Sequence, residues 1–451
     1  MIQAKNMFAK LFHKINNKHF LSLAGNGVMA GLAMLTLAIL FRVLSKVDIG
    51  YWFFYQTLFV LLDTFRSGFL QMTLISFYSG TEETTSKKVI GSIWYIAIII
   101  TFLFAGINLI VYPFSKYFND PAIILTIKWF GITFLATLPS NIASWIMQAD
   151  QRFDRLLILR VLNQGSFIIG VLICVFFNNI NLQNLFLLNF VVNVIGSVVT
   201  IFLGWSKINW FVFRTNEYVK KIYNYGKYSV GASVSTSLLR SSDTFIITYL
   251  LGPSALAIYN IPVRLMELIE IPLRSMVSTG MASIAKAYNR NNLKEVGYIL
   301  QKYAGTLSVT FIPIAIVAIS LADIGVGLLG GGKYLGTEAA NFYRISMIFA
   351  IFYPIDRFIG VSLDVIQQPR INFIKVLLMS LMNIVGDFAG ILIFGNIYGV
   401  ALGTLFPLCI GIFFGYYHLS KHVNFKLSNV FVFGYIQVRR ILRKNVKYFK
   451  R

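Results

Sequence analysis

Of the 451 residues, 57% are hydrophobic and only 13% are charged, yet the formal net charge is +23. A soluble globular domain carries roughly a quarter charged residues, so an ordinary soluble fold is excluded. A nucleic-acid binder is disfavoured too, because the Lys and Arg residues fall in short gaps between apolar runs and build no single basic face.

The first twenty residues mix Lys5, Lys10, Lys14 and Lys18 with Phe8, Leu11, Phe12 and Ile15. This reads as a basic amphipathic segment and not as a cleavable signal peptide, since the first long apolar run begins only at Leu21. From there the pattern predicts twelve spans, approximately 21–42, 51–79, 89–114, 122–148, 156–177, 183–205, 228–251, 255–285, 299–322, 338–365, 371–394 and 397–419. Val89–Tyr112 carries no charge. Neither does Val161–Ser206, whose polar break at Asn178-Asn179-Ile180-Asn181 predicts two spans and a tight turn. The runs are continuous rather than period-two, which selects helices over a β-barrel.

Charge bias sets the orientation. With the N-terminus in the cytoplasm, the inner segments hold Lys87 and Lys88, Arg152 and Arg155, Lys207 to Lys227, Lys286 to Lys302, and Arg370 and Lys375. The outer loops hold little beyond Lys46, Lys116 and Lys333. The end of the chain interleaves Arg439, Arg440, Arg443, Lys444, Lys447, Lys450 and Arg451 with Ile436, Leu442, Val446 and Phe449, the pattern of a second amphipathic helix on an anionic leaflet. A solvated tail is the plainer alternative.

Shifting the chain onto itself brings Leu44–Trp52 over Leu251–Tyr259, and Asp63 over Glu270. With a few residues inserted, Gln148–Phe153 falls on Val365–Arg370. Two six-span repeats of the same orientation follow. The expected organisation is a cytoplasmic basic segment at 1–20, bundles at 21–206 and 228–420, a cytoplasmic linker at 207–227, and a cytoplasmic basic tail at 421–451. Parallel repeats of this kind place a substrate site near the midplane at their interface.

Eight charges interrupt the apolar pattern, each costing about 2.5–3.5 kcal/mol at bilayer depth. They are Asp63 and Arg66 in the second span, Arg240 and Asp243 in the seventh, and Arg264, Glu267, Glu270 and Arg274 in the eighth. The last four share about a 120° arc of one helix. Ser233, Ser235, Ser237, Ser241 and Ser242 surround Arg240 and Asp243. One reading is self-neutralising structural pairs at i, i+3. The other is a hydrated path. Asp323, Arg344, Asp356, Arg357, Asp364, Lys375 and Asp387 are weaker candidates, several near span ends where snorkelling to the interface accounts for them. Pro139, Pro262, Pro272, Pro313 and Pro354 are candidate kinks within spans.

Several stretches carry a family resemblance. They are the opening helix with Gly25-Asn26, the turn Leu44–Tyr51 and its counterpart Leu251–Asn260, the run Arg240-Ser241-Ser242-Asp243, and Gln148–Phe153. The chain resembles the multidrug/oligosaccharidyl-lipid/polysaccharide exporter superfamily, and within it the O-antigen (Wzx-type) flippases. The resemblance implies an all-α integral membrane protein of about twelve transmembrane helices, in two parallel six-helix repeats forming MATE-like bundles around a central cavity. It implies alternating access in a bacterial inner membrane, with both termini cytoplasmic. The implied cargo is an undecaprenyl-diphosphate-linked oligosaccharide for O-antigen, capsule or a similar surface glycan. Membrane lipids, H+ or Na+ as coupling ion, and polymerase or chain-length proteins of the same pathway are the further partners; no nucleic acid is among them.

On this reading Arg66, Arg240, Arg264 and Arg274 bind the diphosphate or glycan, because a guanidinium grips phosphate oxygens bidentately. Asp63, Asp243, Glu267 and Glu270 balance those charges or couple to an ion. A cation-coupled multidrug exporter of the same superfamily is the nearer rival, but arginines repel its cationic cargo. A glycan-modifying membrane enzyme is the further one. No catalytic residue, metal site or cofactor is expected: the four histidines, His13, His19, His418 and His422, lie near the termini, and Cys174 and Cys409 lie singly in apolar runs.

Overall fold

The computed structural model describes residues 18–118 and 120–449 as α-helices joined by short turns and three 3-10 segments. Residues 1–17, most of the expected N-terminal amphipathic segment, lie outside the described residues, as do 119, 450 and 451. The first half contains α1 (Lys18–Val43), α2 (Lys46–Tyr78), α3 (Glu83–Val111), α4 (Pro121–Ala136), α5 (Leu138–Ala149), α6 (Phe153–Phe176) and α7 (Leu182–Phe202). The second begins with α8 (Asn216–Leu251), α9 (Pro253–Asn289), α10 (Leu293–Ser320) and the short α11 (Ala322–Gly330). It continues through α12 (Ala339–Ala350), α13 (Tyr353–Val365), α14 (Pro369–Phe394), α15 (Tyr398–Gly403), α16 (Leu405–Leu419) and α17 (Leu427–Phe449).

Each expected span coincides with one helix or one broken helix. Among the described residues, seven stretches are long and apolar enough to cross a membrane by themselves, and nine when each bent pair counts as one span. The remaining three spans are α1, α8 and α9. The last two fall short because they carry the serines and charges singled out above. Local chemistry sets the ends. Ser45 caps α2 by accepting from the Asp48 N–H at 3.0 Å. The predicted Asn178–Asn181 turn forms with Asn178 in the left-handed region (φ 51°), and Asn181 caps α7 by accepting from Asn184 N–H at 2.8 Å.

The fourth span of each half is broken. α4 and α5 meet at 46°, and α12 and α13 at 48°. Pro139 and Pro354 sit in the first turns of α5 and α13, where a missing N–H is harmless to the helix that follows but stops the one before. Pro262, Pro272 and Pro313 lie instead inside helices that continue through them.

The chain divides into two compact units, 1–241 and 242–451, with the boundary inside α8. The first unit's core gathers Leu70, Leu74, Ile93, Trp94, Ile142 and Trp145. The second unit's core gathers Leu300, Phe311, Phe358, Ile359, Leu363 and Val430. The expected linker is largely structured. Trp94 Nε1 donates to Ser206 O at 2.9 Å, and the 3-10 segment Ile208–Phe213 lies on α3 so closely that a Cβ on Gly91 would meet Arg214 N at 2.8 Å. The second expected tail begins as α17, docked on α10. Gln301 Nε2 donates to Lys426 O at 2.9 Å, and Gly305 and Gly434 pass with no room for a side chain on either. Arg439, Arg440 and Arg443 of α17 are exposed.

Candidate functional site

In the first unit the polar centre is Arg66 on α2. Its side chain is fully buried, whereas Asp63, one turn earlier, keeps 22% of its side chain accessible. Nε and Nη2 donate to Asp63 Oδ1 at 3.1 and 2.5 Å. Nη2 also donates to Thr137 Oγ1 at 2.7 Å, and Nη1 donates to Thr101 Oγ1 at 3.2 Å and Phe134 O at 2.9 Å. The guanidinium further lies over the Phe134 ring, 4.1 Å from its centroid. All five N–H donors are therefore engaged. Thr137 Oγ1 also donates to Phe134 O, at 3.0 Å, so Arg66 and Thr137 together satisfy a carbonyl where the span bends. Asn141 of α5 completes the ring, with Nδ2 at 3.4 Å from Asp63 Oδ1. The expectation that Arg66 grips an anionic cargo meets a closed site with no donor left over.

The second unit has two polar centres. Lys375 of α14 donates to Asp356 Oδ1 at 2.6 Å and Asp356 O at 3.1 Å, beside the break between α12 and α13. The pair is 2% and 8% exposed, so neither member snorkels to an interface as expected. Glycines make the space: a Cβ at Gly411 would meet Asp356 Oδ1 at 2.6 Å.

The other centre surrounds Asp243. Tyr259 OH donates to Asp243 Oδ2 at 2.6 Å, and Asn383 Nδ2 donates to Asp243 Oδ1 at 2.6 Å. Asn383 Nδ2 also reaches Asp387 Oδ2 at 3.3 Å. Asp387 is fully buried, and its Oδ1 has no hydrogen-bond partner among the described residues. Gly386 and Gly390 of α14 cross Gly403 and Gly399 of α15 backbone to backbone, which draws α15 against the face next to Asp387. Two carboxylates contacted by one amide repel each other, and a cation placed between them relieves that repulsion. Among the described residues no group of three or more His, Cys, Asp or Glu is placed to hold a metal ion.

On α9 the four charges pair along one face. Arg264 Nη1 donates to Glu267 Oε1 at 2.7 Å, and Arg274 pairs with Glu270. Their side chains stay open, at 34% and 49% for the first pair and 74% and 29% for the second. The anticipated Arg240–Asp243 bridge does not form. Asp243 turns to Tyr259 and Asn383, and Arg240 is exposed. Tyr259 and Asn383 were not among the sequence candidates, and Asp387 and Asp356 stood only among the weaker ones. The available signal was the i, i+4 spacing of Asn383 and Asp387 on a helix that also carries two glycines four residues apart.

Residues 16–281 match the family model described as polysaccharide biosynthesis protein, and residues 229–389 match the MatE model. Among curated proteins, the chain is 23% identical over 234 residues to the "Probable low-salt glycan biosynthesis flippase Agl15" of Haloferax volcanii; that match spans 52% of this chain and 49% of the relative. Solved structures share the fold. "Lipid II flippase MurJ, inward closed conformation" superposes with a TM-score of 0.71 at 16% identity, covering 94% of this chain and 92% of that one. An inward-facing multidrug resistance MATE family transporter superposes at 0.70 and 14%, covering 87% and 94%.

Proposed function

The chain belongs to the polysaccharide biosynthesis protein family, within the multidrug/oligosaccharidyl-lipid/polysaccharide exporter superfamily, and we propose that it is a flippase for a lipid-linked glycan. The observation that carries the reading is the family match over more than half of the chain, residues 16–281, on a multi-pass helical membrane fold. The proposed cargo is an oligosaccharide on undecaprenyl diphosphate, moved by alternating access across a bacterial cytoplasmic membrane with both termini inside. The glycan pathway, O-antigen, capsule or another, belongs to the same proposal.

The open charges supply the chemistry. Arg240, Arg264 and Arg274 keep accessible guanidinium groups that suit diphosphate oxygens, and Glu267 and Glu270 keep the α9 face near neutrality. Arg66 enters as a positioning residue, because its donors are spent on α4, α5 and Asp63. Asp243 and Asp387, linked through Asn383, are the place where H+ or Na+ would couple to transport. A bound proton or ion removes the repulsion of two neighbouring carboxylates, so occupancy changes the energy of any state that brings them together.

A multidrug exporter is supported by the MatE match over 229–389. It ranks second because that match covers fewer residues than the polysaccharide biosynthesis one. Inside-out vesicles containing the protein separate the two. The proposal expects translocation of lipid-diphosphate glycans. Vesicles that move none of them but extrude a cationic dye would overturn it.

A further inference from the structure

In the first unit, α2 and α8 run antiparallel in a regular register. Thr64 Oγ1 donates to Ser237 Oγ at 3.2 Å. One turn further, a Cβ on Gly68 would come within 2.6 Å of Ser233 Cβ. The close approach continues to Gly226, where a Cβ would meet Phe69 O at 2.8 Å. A cavity of about 680 Å3 opens, lined by Met72 and Phe77 of α2 and by Lys221, Asn224, Tyr225 and Ser229 of α8. Its volume lies within the usual range for small-ligand sites.

The lining is divided by helix. α8 contributes a stripe at i, i+3, i+4 and i+8, so its ammonium, amide, phenol and hydroxyl groups share one face. α2 contributes the apolar wall. Phe77 and Tyr225 meet edge to face, with ring centroids 5.7 Å apart, and Tyr225 OH stands 3.5 Å from Ser76 Oγ. Tyr225 is 44% exposed and Met72 57% exposed, so the cavity is accessible from outside the unit. The cavity lies at the last two turns of α2 and the first four of α8, at the unit's basic end, near Lys87, Lys88 and Lys207 in the chain. On the predicted spans 51–79 and 228–251 this is a span end and not the middle.

We propose that this cavity receives a sugar residue of the lipid-linked cargo at the basic face; the assignment rests on the flippase reading. A pyranose ring has apolar C–H faces and a rim of hydroxyls. The Phe77–Tyr225 pair offers the first an aromatic wall. Asn224, Ser229 and Tyr225 offer the second both donors and acceptors. An acyl chain would fill the volume but offer the Asn224 amide and the Ser229 hydroxyl nothing to bond, at a cost for each. Lys221, held to Glu217 at 2.6 Å, adds a cation suited to acidic sugars or the first phosphate.

The test uses the full-length protein in lipid nanodiscs and two probes. One is the lipid-linked oligosaccharide fraction extracted from the source cells; the other is undecaprenyl diphosphate without sugar. Tyr225→Ala and Asn224→Ala should each weaken glycolipid binding about tenfold, the equivalent of one lost contact of moderate strength. Binding of undecaprenyl diphosphate should not change. Tyr225→Phe, which keeps the ring, should retain most of the affinity and controls for misfolding. If both alanine variants bind glycolipid as the wild type does, or lose both probes equally, the cavity is not a sugar site. The second result would mark it as a general lipid-headgroup site. If the wild-type protein itself prefers neither probe over bulk phospholipid, the flippase reading fails first.

Discussion

Replacing Arg66 by alanine should destabilise the protein more than it changes cargo affinity. The substitution removes five hydrogen bonds at once and strands the Asp63 carboxylate beside the bend of the fourth span. Five bonds at the average of about 0.6 kcal/mol found between bilayer side chains give about 3 kcal/mol. Breaking a buried ion pair by removing one partner costs about 3–5 kcal/mol, so the two routes agree. For a unit of this size each kcal/mol moves the midpoint by roughly 2–4 °C, which predicts a fall of roughly 6–20 °C. Thermal unfolding in detergent, read by size-exclusion chromatography, measures it. Arg66→Met with Asp63→Leu should recover part of the loss, because no charge is then left unpaired. Arg66→Lys should fall between, since one ammonium cannot reach Asp63, Thr101, Thr137 and Phe134 O together. An Arg66→Ala protein that melts like the wild type but no longer binds lipid-diphosphate glycan would refute this reasoning and return Arg66 to the cargo.

The second unit offers the parallel case. Lys375→Met alone should cost about 3–5 kcal/mol in the same melting assay. Pairing it with Asp356→Leu should restore most of that loss, and a double variant as unstable as the single one would show that the pair is not the source. Asp387→Asn removes one of the two neighbouring carboxylates, so transport should lose its response to an imposed H+ or Na+ gradient while the protein still folds. Vesicle transport that stays equally gradient-dependent would place the coupling elsewhere. Gly434→Leu forces a side chain into the backbone of α10 and should release α17. A cysteine pair placed across the Gln301–Lys426 contact should then lose its disulfide crosslink; unchanged crosslinking would mean that the helices tolerate the bulk.

Element order was legible because apolar runs of membrane length have few alternatives, and the Asn178–Asn181 break marks where one of them ends. Pro139 and Pro354 were visible as candidate kinks, but their difference from Pro262 and Pro272 was not. At the first break the carbonyl of Phe134 is taken up partly by Arg66, a group far away in sequence, which spacing along the span cannot show. Spacing also suggested an Arg240–Asp243 bridge. Two contacts distant in sequence, Tyr259 and Asn383, took the carboxylate instead. Lys375 and Asp356 looked like interface residues because distance from a span end reports depth and not direction. Which face a side chain takes is decided by packing, and the room around this pair comes from Gly411 on another helix.

The docking of residues 206–214 on α3 bears on how sidedness can be mapped. Reporter enzymes and protease sites are commonly inserted into the segment joining two bundles. Here that segment supplies Ser206 O to Trp94 and closes over Gly91, so an insertion would pry open the first unit before it reported a compartment. Its resistance to proteolysis would likewise reflect shielding by α3 rather than the side of the membrane on which it lies. The exposed Asn178–Asn179 turn, whose left-handed residue already ends one helix before the next begins, is the safer insertion point.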